Sequence, residues 1–138
     1  MANPSGSIVP LIGRFLISVV FILAGTAKIG AFSMYAGVIA TAHLPLPKVS
    51  LAIAIVVELF GGLAILAGMH TRFTAWLVFL YLIPTTILFH NFWALQGAAR
   101  IDNMIHFEKN LAIMGGLLIL ATFGPGAYSV DSARAPRN

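Results

Sequence analysis

Residues 49–69, VSLAIAIVVELFGGLAILAGM, decide how this chain is read. All but one of these 21 residues are uncharged, and the exception, Glu58, stands nine residues into the run. At a helical rise of about 1.5 Å per residue the run is roughly 30 Å long, the thickness of a bilayer's hydrocarbon core. The stretch therefore reads as a membrane span with a carboxylic acid near its midplane. An acid there costs roughly 2.5–3.5 kcal/mol on insertion scales, so it needs a partner, a proton or water.

Working outward, three further windows have the same character: residues 8–29, 72–96 and 105–124. Between them lie a longer segment at 30–48, a tight turn at His70-Thr71 and a polar loop at 97–104. The whole 138-residue chain is 59% hydrophobic and 9% charged, with a mean hydropathy of +0.96. A soluble domain carries about a quarter charged residues. Eight Lys+Arg and four Asp+Glu cannot clothe a water-facing surface, which excludes soluble, disordered and fibrous classes. The net charge of +4 is not gathered into a basic cluster, so no nucleic-acid partner is expected. The absence of cysteine excludes a disulfide framework, a thiolate metal site and thiol redox chemistry by the chain itself. The expected fold is all-α: an integral membrane four-helix bundle, up-down antiparallel, forming one domain over residues 1–138.

The first window is read as a retained anchor rather than a cleaved leader, because no Lys or Arg precedes it and its apolar run is long. In segment 30–48, Phe32, Tyr35, Ala36 and Ile39 recur at helical spacing, and Leu44-Pro45-Leu46-Pro47 stops the helix. This predicts a short helix that either lies at the membrane interface or caps the bundle mouth. In the third window Trp76 and Trp93 are 17 residues apart, about 25 Å along a helix, as expected for tryptophans at opposite interfaces. Pro84 between them predicts a kink. Arg14, Arg72, Arg134 and Arg137 fall on one side and Lys28, Lys48, Arg100 and Lys109 on the other, so charge counting ties. The arginine-bearing tail tips the expectation toward cytoplasmic termini.

Glu58 shares a helical face with Ala54, Gly61 and Gly62, small residues that let a neighbouring backbone approach, so it should face the bundle interior. Ala64 with Gly68, and Ala112 with Gly116, repeat the small-residue spacing. Arg14, Ser18, Phe21, Gly25 and Lys28 form one stripe of the first helix. Measured from the membrane face holding residues 29 and 49, Glu58 lies about 14 Å deep, Lys28 about 2 Å, Lys109 about 6 Å and Arg14 about 22 Å. Side chains lean toward their own helix N-terminus, so Glu58 and Lys28 lean together and Arg14 leans away. Lys28 or Lys109 rather than Arg14 is thus the expected nearer cation, while Arg14 and Lys28, each taken alone, are expected to snorkel to head groups. The carboxylate either handles protons or anchors a ligand, or forms a structural pair that fixes helix packing.

The same half of the membrane collects His90, His106, Glu108, Lys109 and Asn110, and Thr86, His90 and Trp93 share a face. No HExxH-like ligand spacing, phosphate loop or catalytic-triad order is present, so no metal site is expected. Gly124-Pro125-Gly126 ends the last helix. The candidate polar site is therefore Glu58, Lys28, Lys109, His90, Arg14 and Asn110.

These pieces resemble the DoxX family of small bacterial membrane proteins. The resemblance is carried by Gly13-Arg14 followed by FLISVVFILAGTAKI, by VVELFGGLAILAGMHTR with Glu58 and its double glycine, and by NMIHFEKNLAIMGGLLILATFGPGAYSVD. It covers residues 10 to 131 in order, and the last stretch is similar to an inner-membrane branch of the family. The resemblance implies a four-helix inner-membrane bundle, multi-pass, with cytoplasmic termini. It further implies association with redox enzymes, since some relatives are described as subunits of thiosulfate:quinone oxidoreductase. Arg14, Lys28, Glu58, Lys109 and Asn110 match the family pattern without an assigned catalytic role. Two readings follow. One is a redox-associated membrane subunit that binds a quinone among Lys28, Glu58, His90 and Lys109, with no cofactor of its own, surrounded by membrane lipids and working with a redox partner protein. The other is a non-enzymatic scaffold or small-molecule transporter. A transporter needs two access states, which four short helices without repeats supply only as a homo-oligomer.

Overall fold

The computed structural model describes residues 6–135, and its regular structure is helical throughout. Helix α1 is Val9–Gly30, α2 Phe32–Thr41, α3 Pro47–Ala67, α4 Thr71–Phe89, α5 Gly97–Phe123 and α6 Val130–Arg134, with a 3₁₀ turn at Phe92–Ala94. Among the described residues the spans containing α1, α3, α4 and α5 are long and apolar enough to cross a membrane. Prolines set two starts: Pro10 and Pro47 occupy first-turn positions, where no N–H is needed. Gly68 ends α3 in the left-handed conformation, φ 68°, which a side chain adopts only under strain.

Lys28 near the end of α1 meets Glu58 in the middle of α3, and Arg14 near its start meets the end of α3. The two helices are therefore antiparallel, as expected. Helix α3 also packs on α4 and α4 on α5, while Ile17 of α1 against Gly116 of α5 closes the ring. Phe21, Ile65, Val78, Leu82 and Leu117 fill the core. Outward, Leu16, Leu23, Ile53, Phe60, Phe73 and Ile119 are exposed and form the surface a membrane protein offers to acyl chains.

The closest seam is α1 against α3, and reciprocal glycines create it. A Cβ on Gly25 would lie 3.1 Å from the backbone nitrogen of Leu59, and one on Gly62 would lie 2.9 Å from Ile22. Of the expected small-residue pairs, Gly68 terminates its helix and Ala112 is exposed, so neither pair forms a seam of its own.

Two boundaries differ from expectation. Helix α5 begins at Gly97 rather than near 105, which puts Arg100, Asp102 and Asn103 on a helix instead of in a loop. Its 27 residues span about 40 Å, longer than the hydrocarbon core, so the first turns project from it. Helix α4 stops at Phe89, short of 96. His90 leaves helical geometry and the chain turns so that Phe92 and Trp93 meet the ring of Phe107 on α5 edge-on. Trp93 therefore does not continue the helix that carries Trp76. Helix α4 runs on through Pro84, whose missing N–H leaves the Leu80 carbonyl without its usual donor.

The short α2 caps one end of the bundle: its buried Ala36 and Ile39 pack on Leu51 of α3. The opposite end is sealed by the C-terminal segment. After Gly124 the chain folds back, and the Asp131 carboxylate accepts hydrogen bonds from the backbone N–H groups of His70 and Thr71, each at 2.8 Å. Ser129 caps α6 by accepting from the Ser132 N–H. Arg137 lies outside the described residues.

Candidate functional site

The reciprocal glycine contacts bring α1 close enough for its last turn to reach the middle of α3. Lys28 Nζ donates to both carboxylate oxygens of Glu58, at 2.9 Å to Oε1 and 2.7 Å to Oε2. Glu58 is 5% exposed, between Ala54 and the two glycines on the inner face. The Tyr81 hydroxyl of α4 donates a third hydrogen bond to Oε1 at 2.7 Å. A buried carboxylate held by a cation and a phenol is thus satisfied on three sides, which is what its removal from water requires. Tyr35 of α2 stands on the other side of the lysine, with Nζ 5.5 Å from its ring centre, a cation–π distance.

Beside this group lies a cavity of about 310 Å³, lined by Lys28, Tyr35, Tyr81, Thr85 and His90 among apolar residues of α2, α3 and α4. Glu58 is not part of the lining. The acid sits behind the wall, and the groups presented to the cavity are the lysine and the phenol that it holds. Lys28 has three N–H donors and Glu58 takes two, which leaves one. The Tyr81 oxygen keeps lone pairs after its proton is given to Glu58. The wall therefore offers one strong donor, and the Tyr81 and Thr85 oxygens as acceptors, in an otherwise apolar space.

The remaining expected residues separate into three places. His90 lines the same cavity, and its ring stacks on His106 with centres 5.1 Å apart. Lys109 does not reach Glu58: it is exposed and bonds His106 Nδ1 at 2.9 Å, so Lys28 alone of the two lysines pairs with the acid. Asn110 is buried and donates to Thr86 Oγ1 at 3.0 Å, pinning α5 to α4. Arg14 lies at the opposite end and does not snorkel. It is 1% exposed and donates to the carbonyls of Leu66, at 2.7 Å, Ile65 and Tyr128. The carbonyls at the end of α3 carry the negative end of the helix dipole, which supplies part of the counter-charge a buried guanidinium needs.

The sequence pattern gives Tyr35 only a place on a short helix and does not single out Tyr81, because an aromatic residue in an apolar run reads as filling. Depth was the available signal. Tyr81 stands eight residues before Phe89, about 12 Å from that end, close to the depth of Glu58.

Outside the spans, Asp131 is the ionisable group whose environment is most built. Its partial burial pushes the carboxyl up, but the hydrogen bonds from Thr71 and His70 outweigh this and hold it below the ordinary carboxylate value.

Four apolar spans around a lysine–glutamate–tyrosine group at one end and a buried arginine at the other define a multi-pass membrane bundle. The chain belongs to the DoxX family: the family model described as DoxX matches residues 9–91. Inner membrane protein YqjF of Escherichia coli (strain K12) is 42% identical over 122 residues, 88% of each chain. Inner membrane protein YphA of the same organism is 36% identical over 121 residues, 88% of this chain and 86% of that one. The ER-derived vesicles protein ERV29 of Saccharomyces cerevisiae is 30% identical over 80 residues, 58% of this chain and 26% of its own length. No solved structure matches the chain.

Proposed function

We propose that this chain is an inner-membrane, redox-associated subunit that binds the ring of a quinone in the cavity beside Lys28. The observation that carries this reading is the Lys28–Glu58–Tyr81 group at the wall of an apolar cavity of about 310 Å³. Small-molecule sites are mostly apolar clefts from about 300 Å³ upward with a few placed polar groups, and this one is at the small end of that range. A quinone is an apolar ring with carbonyl acceptors, and the free Lys28 N–H is the donor such an acceptor needs. Glu58 holds the lysine aimed, Tyr81 fixes the carboxylate, and Val38, Ile39, Leu51 and Phe89 exclude water around the ring. The polar groups can also hold the proton that a ring oxygen gains or loses.

Electron transfer in this reading belongs to the quinone and a redox partner protein, since the chain has no cysteine. YphA and YqjF are inner-membrane proteins by name, which supports that location. Both termini lie on the cytoplasmic side in this reading, and the cavity faces the other half of the membrane. The packing of Arg14 and the folded-back tail at the far end favours one-ended access over transport.

The test is native mass spectrometry of the gently purified protein, wild type and Lys28→Met. Quinone retained by the wild type and lost from the variant supports the reading. No quinone on either, with none bound on addition, removes it.

A further inference from the structure

The head-sized cavity has a neighbour. A second space of about 200 Å³ is lined by Leu44, Ser50, Pro84 and Leu88, together with five residues that also line the first: Ile39, Ala54, Tyr81, Thr85 and Phe89. The two spaces lie side by side with those five residues as their common wall, where α3 and α4 meet beneath the end of α2. The composition explains why the seam is open here. Ala54 offers only a methyl group on the inner face of α3, and Pro84 and Leu88 lie toward the outer surface of α4, with Leu88 40% exposed. The lining is apolar except for hydroxyls already engaged: Ser50 bonds the Pro45 carbonyl at 2.8 Å and Thr85 the Tyr81 carbonyl at 2.9 Å. Pro84 has no N–H to offer. A groove whose walls present no free donor suits a hydrocarbon chain.

We infer that this side groove is the exit for an isoprenoid tail, so that the ligand class is a lipid-tailed quinone entering from the bilayer between α3 and α4. The inference rests on the ring-binding reading above and adds the tail subsite to it. Ring and tail are then separable: Lys28 holds the ring whatever its tail, and the groove admits the tail whatever the ring. In a membrane the tail gains little by leaving one apolar medium for another, so the groove acts by shape and sets the direction of entry.

The experiment compares a tail-less dimethoxy-methyl-benzoquinone with the same ring carrying two isoprene units, on detergent-purified wild type, Leu88→Trp and Lys28→Met. Leu88 lines the groove but not the ring cavity. The expected result is that Leu88→Trp weakens the tailed quinone at least tenfold while the tail-less ring stays within twofold, and that Lys28→Met weakens both. A tailed ring carrying a photoreactive diazirine on its first isoprene unit should label Ser50, Pro84 or Leu88. Equal binding of the tailed ring to wild type and Leu88→Trp, or label spread over α1 and α5, overturns the tail assignment while leaving ring binding intact. Failure of both quinones to bind the wild type overturns the ring reading itself.

Discussion

Lys28 and Glu58, thirty residues apart on antiparallel helices, meet through both carboxylate oxygens. The lysine side chain is 20% exposed and the glutamate 6% exposed, so the two ends of the pair are not equivalent. Losing the cation strands an acid that has no route to water. Losing the acid leaves a lysine near the end of its helix, free to extend toward the surface. Lys28→Met is expected to destabilise by about 3–5 kcal/mol, the usual cost of breaking one side of a buried pair. Glu58→Leu should cost less, and Lys28→Met combined with Glu58→Leu should be no worse than Lys28→Met alone. Thermal melts in one detergent check the order; equal losses for the two single variants would contradict it.

Tyr81→Phe keeps the ring and removes only the donor to Glu58 Oε1. A hydrogen bond to a charged group contributes about 1.5–3 kcal/mol, so stability should fall by that order while packing is unchanged. The variant should also loosen the carboxylate, read as weaker ring binding without loss of the fold. A melt equal to wild type would show that the phenol does not hold the acid.

At the far end, Arg14→Leu releases the carbonyls of Leu66 and Tyr128 together. The folded-back segment 124–134 should then exchange its amide hydrogens at least tenfold faster, while α2, at the opposite end, keeps its wild-type exchange. Arg14→Lys should not rescue, because one ammonium cannot reproduce the fork of a guanidinium. Unchanged exchange in the tail would mean that Arg14 does not hold it.

Asp131 gives the pH dependence. Its folded value lies below the unfolded one, so the unfolded chain binds the proton first and the contribution to stability is present above the unfolded carboxylate pKa of about 3.9. It is lost as pH falls through the lower, folded value. The difference in melting temperature between wild type and Asp131→Asn should therefore be largest at neutral pH and shrink in acid. A difference that grows as pH falls would reverse the assignment.

How much of this the chain discloses depends on the range of each interaction. The four spans are legible because hydropathy is local and a bilayer fixes their length. The pairing of Lys28 with Glu58 is legible because depth and side-chain lean can be counted along a helix. Lys109 illustrates the limit of counting: depth placed it within range, but its direction around α5 sends it outward to His106. Arg14 shows a different limit. Snorkelling is the favoured fate of an isolated arginine near a helix end, and only the returning tail and the end of α3, distant in sequence, bury it. The first turns of α5 were hidden because hydropathy cannot see a helix that extends beyond the membrane. Phe92 and Trp93 ended α4 early by packing on Phe107, a contact between elements that no local pattern contains.

The central claim is that the lysine held by Glu58 donates to a ring carbonyl. Isotope-edited infrared difference spectroscopy of a quinone labelled with ¹³C at its carbonyls measures this directly. In the wild type one labelled C=O band should shift to lower frequency than in detergent alone, and in Lys28→Met the shift should vanish. A bound quinone whose carbonyl bands in the wild type are the same as in detergent would contradict the account.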